Sequence, residues 1–179
     1  EAKFDSNKKV IYSKEVDRRI NAYRKYYGGC GEIRVQIDVE DTRVGVAEYV
    51  SSKHDLETIE LKFGQGAKNI GGEVMVPSID KAISLKRKGY IVTPDPEDPI
   101  VKATFLSGGF KEFERHSRVG FVTKDGFLSE VDRLRDMGFK RVTLKTGAYS
   151  AKDLAMVIKY GSEAKLDLIT IDGAGGGTG

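Results

Sequence analysis

The segment Ile171-Asp172-Gly173-Ala174-Gly175-Gly176-Gly177-Thr178-Gly179 carries the strongest chemical signal in the chain. Glycines let the backbone bend sharply and bring its N–H groups close to a ligand. A nest of such groups binds anions, phosphate above all. A flexible linker or a plain turn is the alternative, although a linker does not normally abut a buried strand. No Gly-Lys-Ser/Thr follows, so this is not a Walker loop. A G-x-G-x-x-G pattern can be laid over Gly173 and Gly175, with no following helix to support it.

Lys145 comes second. It lies in Val142-Thr143-Leu144-Lys145-Thr146-Gly147, at the C-terminal end of an expected strand. In a parallel barrel that end faces the active site. A lysine there can stabilise negative charge developing on a reduced flavin ring or an oxyanion. The alternative is an ordinary solvated lysine. The third feature is Lys62-Phe63-Gly64-Gln65-Gly66-Ala67-Lys68. Gln65 offers a donor and acceptors, and Lys68 a cation, which suits a carboxylate substrate or a flavin edge. A polar loop without a special role is the competing reading.

Other reactive types carry less. His116, in Glu112–Arg118, reads as a polar surface turn before it reads as a base. His54 has no suggestive company. Cys30 lacks a nearby His and a recognisable signature. Asp95, Glu97 and Asp98 alternate with prolines and read as solvated loop rather than a metal site. Lys86-Arg87-Lys88 suits the last turn of a helix, where cations complement the dipole.

These residues need elements to hold them. The opening Glu1–Tyr12 is polar and is expected to be irregular. Ser13 can cap a helix to about Tyr27, with Val16, Ile20, Tyr23 and Tyr27 on one side. Ile33, Val35, Ile37 and Val39 alternate with polar residues, as a strand does. A helix is expected over Val44–Lys53 and a strand over Ile59–Phe63, running straight into Gly64–Gly72. Ser78 caps a helix through Lys88. Tyr90–Val92 reads as a short strand, and Thr93–Pro99, with its prolines and acids, as loop. Gly126–Met137 is an amphipathic helix and Lys140–Thr146 a strand. Ser150 opens a helix that Gly161 is expected to end. Leu166–Ile171 is again a strand. Helix, strand, helix, strand with short connections implies right-handed βαβ units and a parallel sheet. No linker divides the chain.

The bulk properties fit one α/β domain. The chain has 179 residues, 39% of them hydrophobic, enough for a real core. It is short for a complete eight-fold βα barrel, which takes about 250. The net charge of +3 gives no argument for nucleic acid or an anionic membrane. No apolar run of about 18 residues predicts a membrane span. A single cysteine permits no internal disulfide, which fits a reducing cytoplasm, and cannot alone hold an iron–sulfur cluster. The chain begins without Met and stops within a glycine run, so we read it as a piece of a longer polypeptide.

Taken together, three separated motifs resemble the FMN domain of the glutamate synthase family. Lys62–Lys68 with Gly71-Gly72-Glu73 resembles that family's glutamine-glycine-alanine-lysine loop and its trailing Gly-Gly. Leu144-Lys145 and Ile171–Gly179 resemble its later strand lysine and its Gly-Gly-Thr-Gly loop. The likeness runs from about Gly31 to the end and is nearest the shorter glutamate-synthase-like FMN proteins. It implies an α/β fold that is part of a (β/α)8 TIM barrel, truncated at both ends, with an N-terminal helical segment over 1–30 and the barrel portion over 31–179. It implies FMN as cofactor and reductive amination of 2-oxoglutarate or a related 2-oxo acid, through an imine that takes a hydride.

By the same resemblance, Lys145 would contact the flavin ring. Gly176, Gly177 and Thr178 would lie against FMN, and Gln65 near flavin or substrate. Lys68 would bind a substrate carboxylate. Glu73 stands where the family has a neutral polar residue and could repel a dicarboxylate. Ala174 and Gly175 replace the family's usual His and Asp. An iron–sulfur cluster would be held by residues beyond this segment, and an electron-donor or amidotransferase subunit is the implied partner. Alone, the segment would leave sheet edges unpaired and is expected neither to fold stably nor to hold FMN. Another FMN barrel oxidoreductase and a non-catalytic phosphate-binding barrel are the competing readings.

Overall fold

A computed structural model describes residues 1–63, 74–116, 123–148 and 150–173. In chain order the elements are β1 (Ala2–Phe4), β2 (Val10–Ser13), α1 (Lys14–Tyr26), β3 (Val35–Ile37), α2 (Val39–Arg43), α3 (Val46–His54), β4 (Thr58–Lys62), β5 (Val74–Val76), α4 (Ile79–Arg87), β6 (Ile91–Thr93), α5 (Pro99–Leu106), β7 (Phe113–His116), α6 (Lys124–Asp136), β8 (Arg141–Gly147), α7 (Ala151–Glu163) and β9 (Leu168–Asp172). The fold is mixed α/β. A parallel sheet in the order β3-β4-β8-β9 forms its centre, and two small antiparallel sheets, β1-β2 and β5-β7-β6, accompany it.

Side-chain caps explain why several helices begin where they do. The hydroxyls of Ser13, Ser78, Thr123 and Ser150 each accept an N–H three residues on. Each occupies a backbone donor that has no partner within the helix, a contribution of about 1 kcal/mol. Asp98 does the same for α5, with Pro99 in the first turn where its missing N–H costs nothing.

The parallel sheet buries one face against helices. Ile37, Ile59, Leu61, Val142 and Leu144 meet Val50 of α3, and Phe127, Val131 and Leu134 of α6. Ile20 of α1 joins the same core. A smaller core of Val76, Ala82, Val92 and Phe113 lies under β5-β7-β6, backed by Phe105 and Phe110. Among the described residues no helix is long and apolar enough to cross a membrane.

Several expectations need correction. Glu1–Tyr12 is not irregular: it forms most of the β1-β2 hairpin, closed by the Asp5 carboxylate accepting from the N–H groups of Asn7 and Lys9. The helix expected over Val44–Lys53 is preceded by a separate short one. Asp38 caps α2 with a reciprocal capping box, which ends β3 at Ile37 and takes Val39 into the helix. Gly45, at φ 76°, then makes the left-handed turn into α3. The region after Pro99 holds α5, and β7 follows, so the backbone of His116 is in a strand rather than a turn. Gly161 does not end α7. It is a close-packing site: a Cβ there would stand 2.7 Å from Ile169 Cδ1 and 3.1 Å from Leu166 Cδ1.

Candidate functional site

The side chains of a strand alternate between faces, and in parallel register the partners on neighbouring strands share a face. Ile59, Leu61, Val142 and Leu144 point into the helix-covered core. Glu60, Lys62, Thr143 and Lys145 therefore occupy the other face, where Glu60 stands beside Thr143 and Lys62 beside Lys145. Thr170 extends the lysine row on β9, and Asp172 pairs with Gly147 one step further.

The C-terminal edge of this sheet gathers the chemistry. Lys145 Nζ lies 2.9 Å from Asp172 Oδ2, and both side chains are about three-tenths exposed. The Phe63 N–H donates to the Lys145 carbonyl at 2.8 Å, so the β4–β8 ladder runs one residue past β4. At this edge the chain leaves β4 into residues 64–73, leaves β8 past Gly147, and leaves β9 through Gly173 into residues 174–179. Gln65, Lys68, Glu73, Gly176, Gly177 and Thr178 lie outside the described residues. What is described is the position of Lys145 between the strands that feed the two glycine-rich segments.

Below the lysine row is a polar network that inspection of separate motifs missed. Glu60 is only 7% exposed. Its carboxylate accepts from Gln36 Nε2 at 2.6 Å, Arg34 Nη1 at 3.2 Å and Thr143 Oγ1 at 3.1 Å. Glu32 accepts from Thr58 Oγ1 at 3.1 Å and Arg141 Nη1 at 2.8 Å, and its other oxygen is 3.2 Å from Arg34 Nη2. A buried carboxylate is tolerated when charged and neutral donors replace its water. The sequence signal was period-two polarity: Arg34 and Gln36, Thr58 and Glu60, Arg141 and Thr143 all alternate with apolar residues. Among the described residues the face of the sheet opposite the core helices is thus polar from its middle to its C-terminal edge.

The other reactive groups have different settings. His54, to which the sequence assigned nothing, is buried and places Nε2 2.7 Å from Asp17 Oδ1. The same carboxylate accepts from Tyr49 at 2.7 Å and Lys53 at 2.6 Å. Burial raises the Asp17 pKa, but hydrogen bonds from Lys53, Tyr49 and His54 outweigh it and bring it to about 2. This cluster ties α1 to α3. Lys86 binds Asp95 at 2.6 Å and Arg87 binds Glu97 at 3.0 Å, so the cations of α4 hold the proline-rich loop. Cys30 is exposed. Among the described residues no group of His, Cys, Asp and Glu could hold a metal ion.

Comparison of the chain with family models, curated proteins and solved structures finds no match.

Proposed function

We propose that this chain is part of an FMN-dependent oxidoreductase of the glutamate synthase type, built on a (β/α)8 barrel and acting on a 2-oxo acid and ammonia. One observation carries the reading: Lys145 stands at the C-terminal edge of the parallel sheet, flanked by the strands that lead into both glycine-rich segments. The strand order supports a barrel. β3, β4, β8 and β9 lie side by side in chain order with no reversal, as successive barrel staves do, whereas a doubly wound sheet reverses direction. The polar face opposite the core helices fits the lumen of such a barrel.

The donors at this edge suit a flavin. Bound FMN supplies hydride transfer to a carbon–nitrogen double bond. The chain's own part is electrostatic. Lys145 would stabilise negative charge at the ring, with its ammonium held by Asp172, and Lys62 adds a second cation in the same row. By the family resemblance, Gly176, Gly177 and Thr178 would cradle the cofactor. Gln65 and Lys68 would orient an acidic substrate, beside Glu73.

The test uses the full-length protein. It should purify with flavin absorbance and release FMN in stoichiometric amount. Lys145→Ala should weaken FMN binding about tenfold or shift the flavin potential, the scale of one charge-assisted contact. A colourless protein that does not take up FMN sinks the proposal. Bound FMN without ammonia-dependent turnover of 2-oxoglutarate moves the assignment to another FMN oxidoreductase.

A further inference from the structure

Lys145 is flanked by unlike neighbours. Its strand partner is Lys62 on β4 and Thr170 on β9. Asp172 lies two residues beyond Thr170 on the same face of β9, roughly 6.5 Å nearer the C-terminal edge at the usual strand rise. A contact of 2.9 Å between Lys145 Nζ and Asp172 Oδ2 therefore requires the lysine stem to lean along the strand direction and across to β9. Gly173 follows Asp172 directly and leads into residues 174–179. The ammonium is thus drawn to the end of β9, on the side of β8 away from β4.

A lysine at this position needs such a restraint. Its ammonium is a compact charge on a flexible four-carbon stem, and different rotamers put that charge in different places. Lys62 faces it across the β4–β8 ladder, and like charges at facing strand positions repel. Repulsion alone gives the ammonium no single destination; a carboxylate on the opposite neighbour does. The side chains of Lys145 and Asp172 are 27% and 30% exposed, so water screens the pair less than it would one in open solvent. The same partial exposure leaves the pair accessible from the edge. An ammonium carries three N–H donors, so a contact to Asp172 leaves it able to donate to a ligand as well.

We propose that Asp172 is a positioning residue that acts through Lys145, fixing where the ammonium meets the negative charge of reduced FMN. This role rests on the flavin reading above and adds to it the residue that aims the cation. It also makes a prediction of sign. The carboxylate of Asp172 is itself negative and by its charge alone would disfavour an anionic reduced flavin. If charge were its whole effect, removing it would raise the flavin potential. If it places Lys145, removing it frees the cation to leave the edge, and the potential falls as it does when Lys145 itself is removed.

The full-length protein is loaded with FMN and its midpoint potential is measured for the parent, Lys145→Ala, Asp172→Ala, Asp172→Glu and the double variant of Lys145→Ala with Asp172→Ala. Asp172→Ala should weaken binding of reduced FMN relative to oxidised FMN by about threefold to tenfold, within the loss of one charge-assisted contact, read as a fall in potential. Asp172→Glu, which keeps a carboxylate for the ammonium, should restore most of it. In the double variant the loss of Asp172 should bring no fall beyond that of Lys145→Ala, since no ammonium is left to place. Asp172→Thr, which suits a strand but is shorter and uncharged, should behave as Asp172→Ala and stands in for it if the alanine protein does not fold. A potential that rises or stays unchanged in these variants overturns the proposal, as does an equal further fall in the double variant. A protein that takes up no FMN removes the flavin reading and this role together; bound FMN with an unshifted potential removes this role alone.

Discussion

Glu60 is the residue on which the polar face of the parallel sheet turns. Its carboxylate collects donors from β4's neighbours on both sides, Gln36 and Thr143, and from Arg34 just before β3. Removing an acceptor from buried donors costs more than the bond it made, because the donors stay desolvated. Glu60→Ala should therefore lower stability by about 1–3 kcal/mol in urea unfolding. Glu60→Gln, which keeps an acceptor, should cost less. Equal stability of the alanine variant and the parent would show that water reaches these donors freely. Thr146, two strand positions beyond Leu144 on β8, shows the converse. Its hydroxyl is buried without a hydrogen-bond partner among the described residues. Thr146→Val removes an unsatisfied group at nearly constant shape, and should be neutral or stabilising by up to about 1 kcal/mol in the same assay. A clear loss of stability would mean that the hydroxyl has an acceptor.

At the scale of elements, the Asp17 cluster fastens α1 to α3 and makes that contact sensitive to acid. Folded, Asp17 titrates at about 2; its ordinary value is 3.8. Between those values the unfolded chain binds more protons than the folded one, so stability falls as pH falls. The contribution is complete above about pH 4 and lost as pH approaches 2. Asp17→Asn should flatten that part of the stability-against-pH curve measured by thermal unfolding. An unchanged slope would mean that other carboxylates carry it. On α7, Gly161 sets how closely the helix approaches β9. Gly161→Val would drive branched carbons into Ile169 and Leu166, with little helix propensity gained in return. Overpacking of this kind costs about 1–3 kcal/mol. A loss of that size in urea unfolding, against a smaller one for Gly161→Ala, is the expected pattern.

These elements also show what could be read in advance. The starts of α1, α4 and α7 were legible because each cap is local: a hydroxyl and an N–H three residues away. Lys145 at a strand end was legible because alternation and the following glycine fix the strand's register and limit. The Lys145–Asp172 pair was not, since it needs β8 and β9 to be neighbours in register. Nor was the Glu60 network, whose partners come from separate parts of the chain. Gly161 misled for the same reason. A glycine near a helix end usually marks a left-handed cap, and only the position of Ile169 shows that it is there for space. β7 and α5 were missed because a stretch rich in phenylalanine and charge has no clear period, and Phe113 finds its burial against residues from other elements, Val76, Ala82 and Val92, as well as Phe105 and Phe110.

For the whole molecule, the decisive feature is that its two cores differ in size and in what joins them. The larger lies between the parallel sheet and the helices around it; the smaller lies under β5-β7-β6, within the connection from β4 to β8. Among the described residues the links between them include the Arg115–Glu40 contact and the stacking of Arg43 on Tyr90, both polar and partly exposed. Such contacts contribute roughly 0–1 kcal/mol each, less than a shared apolar interface would. A unit with a small core and weak ties should open by itself before the molecule unfolds. Amide hydrogen exchange should find the N–H groups of β4 and β8 protected longest, and those of β6 and β7 exchanging earlier through a separate opening. The early opening should be insensitive to Glu60→Ala, which weakens only the parallel sheet, and should accelerate in Tyr90→Ala, which removes the stacking ring. Equal protection of both sheets, falling together in every variant, would mean that the polar joint couples them into one cooperative unit.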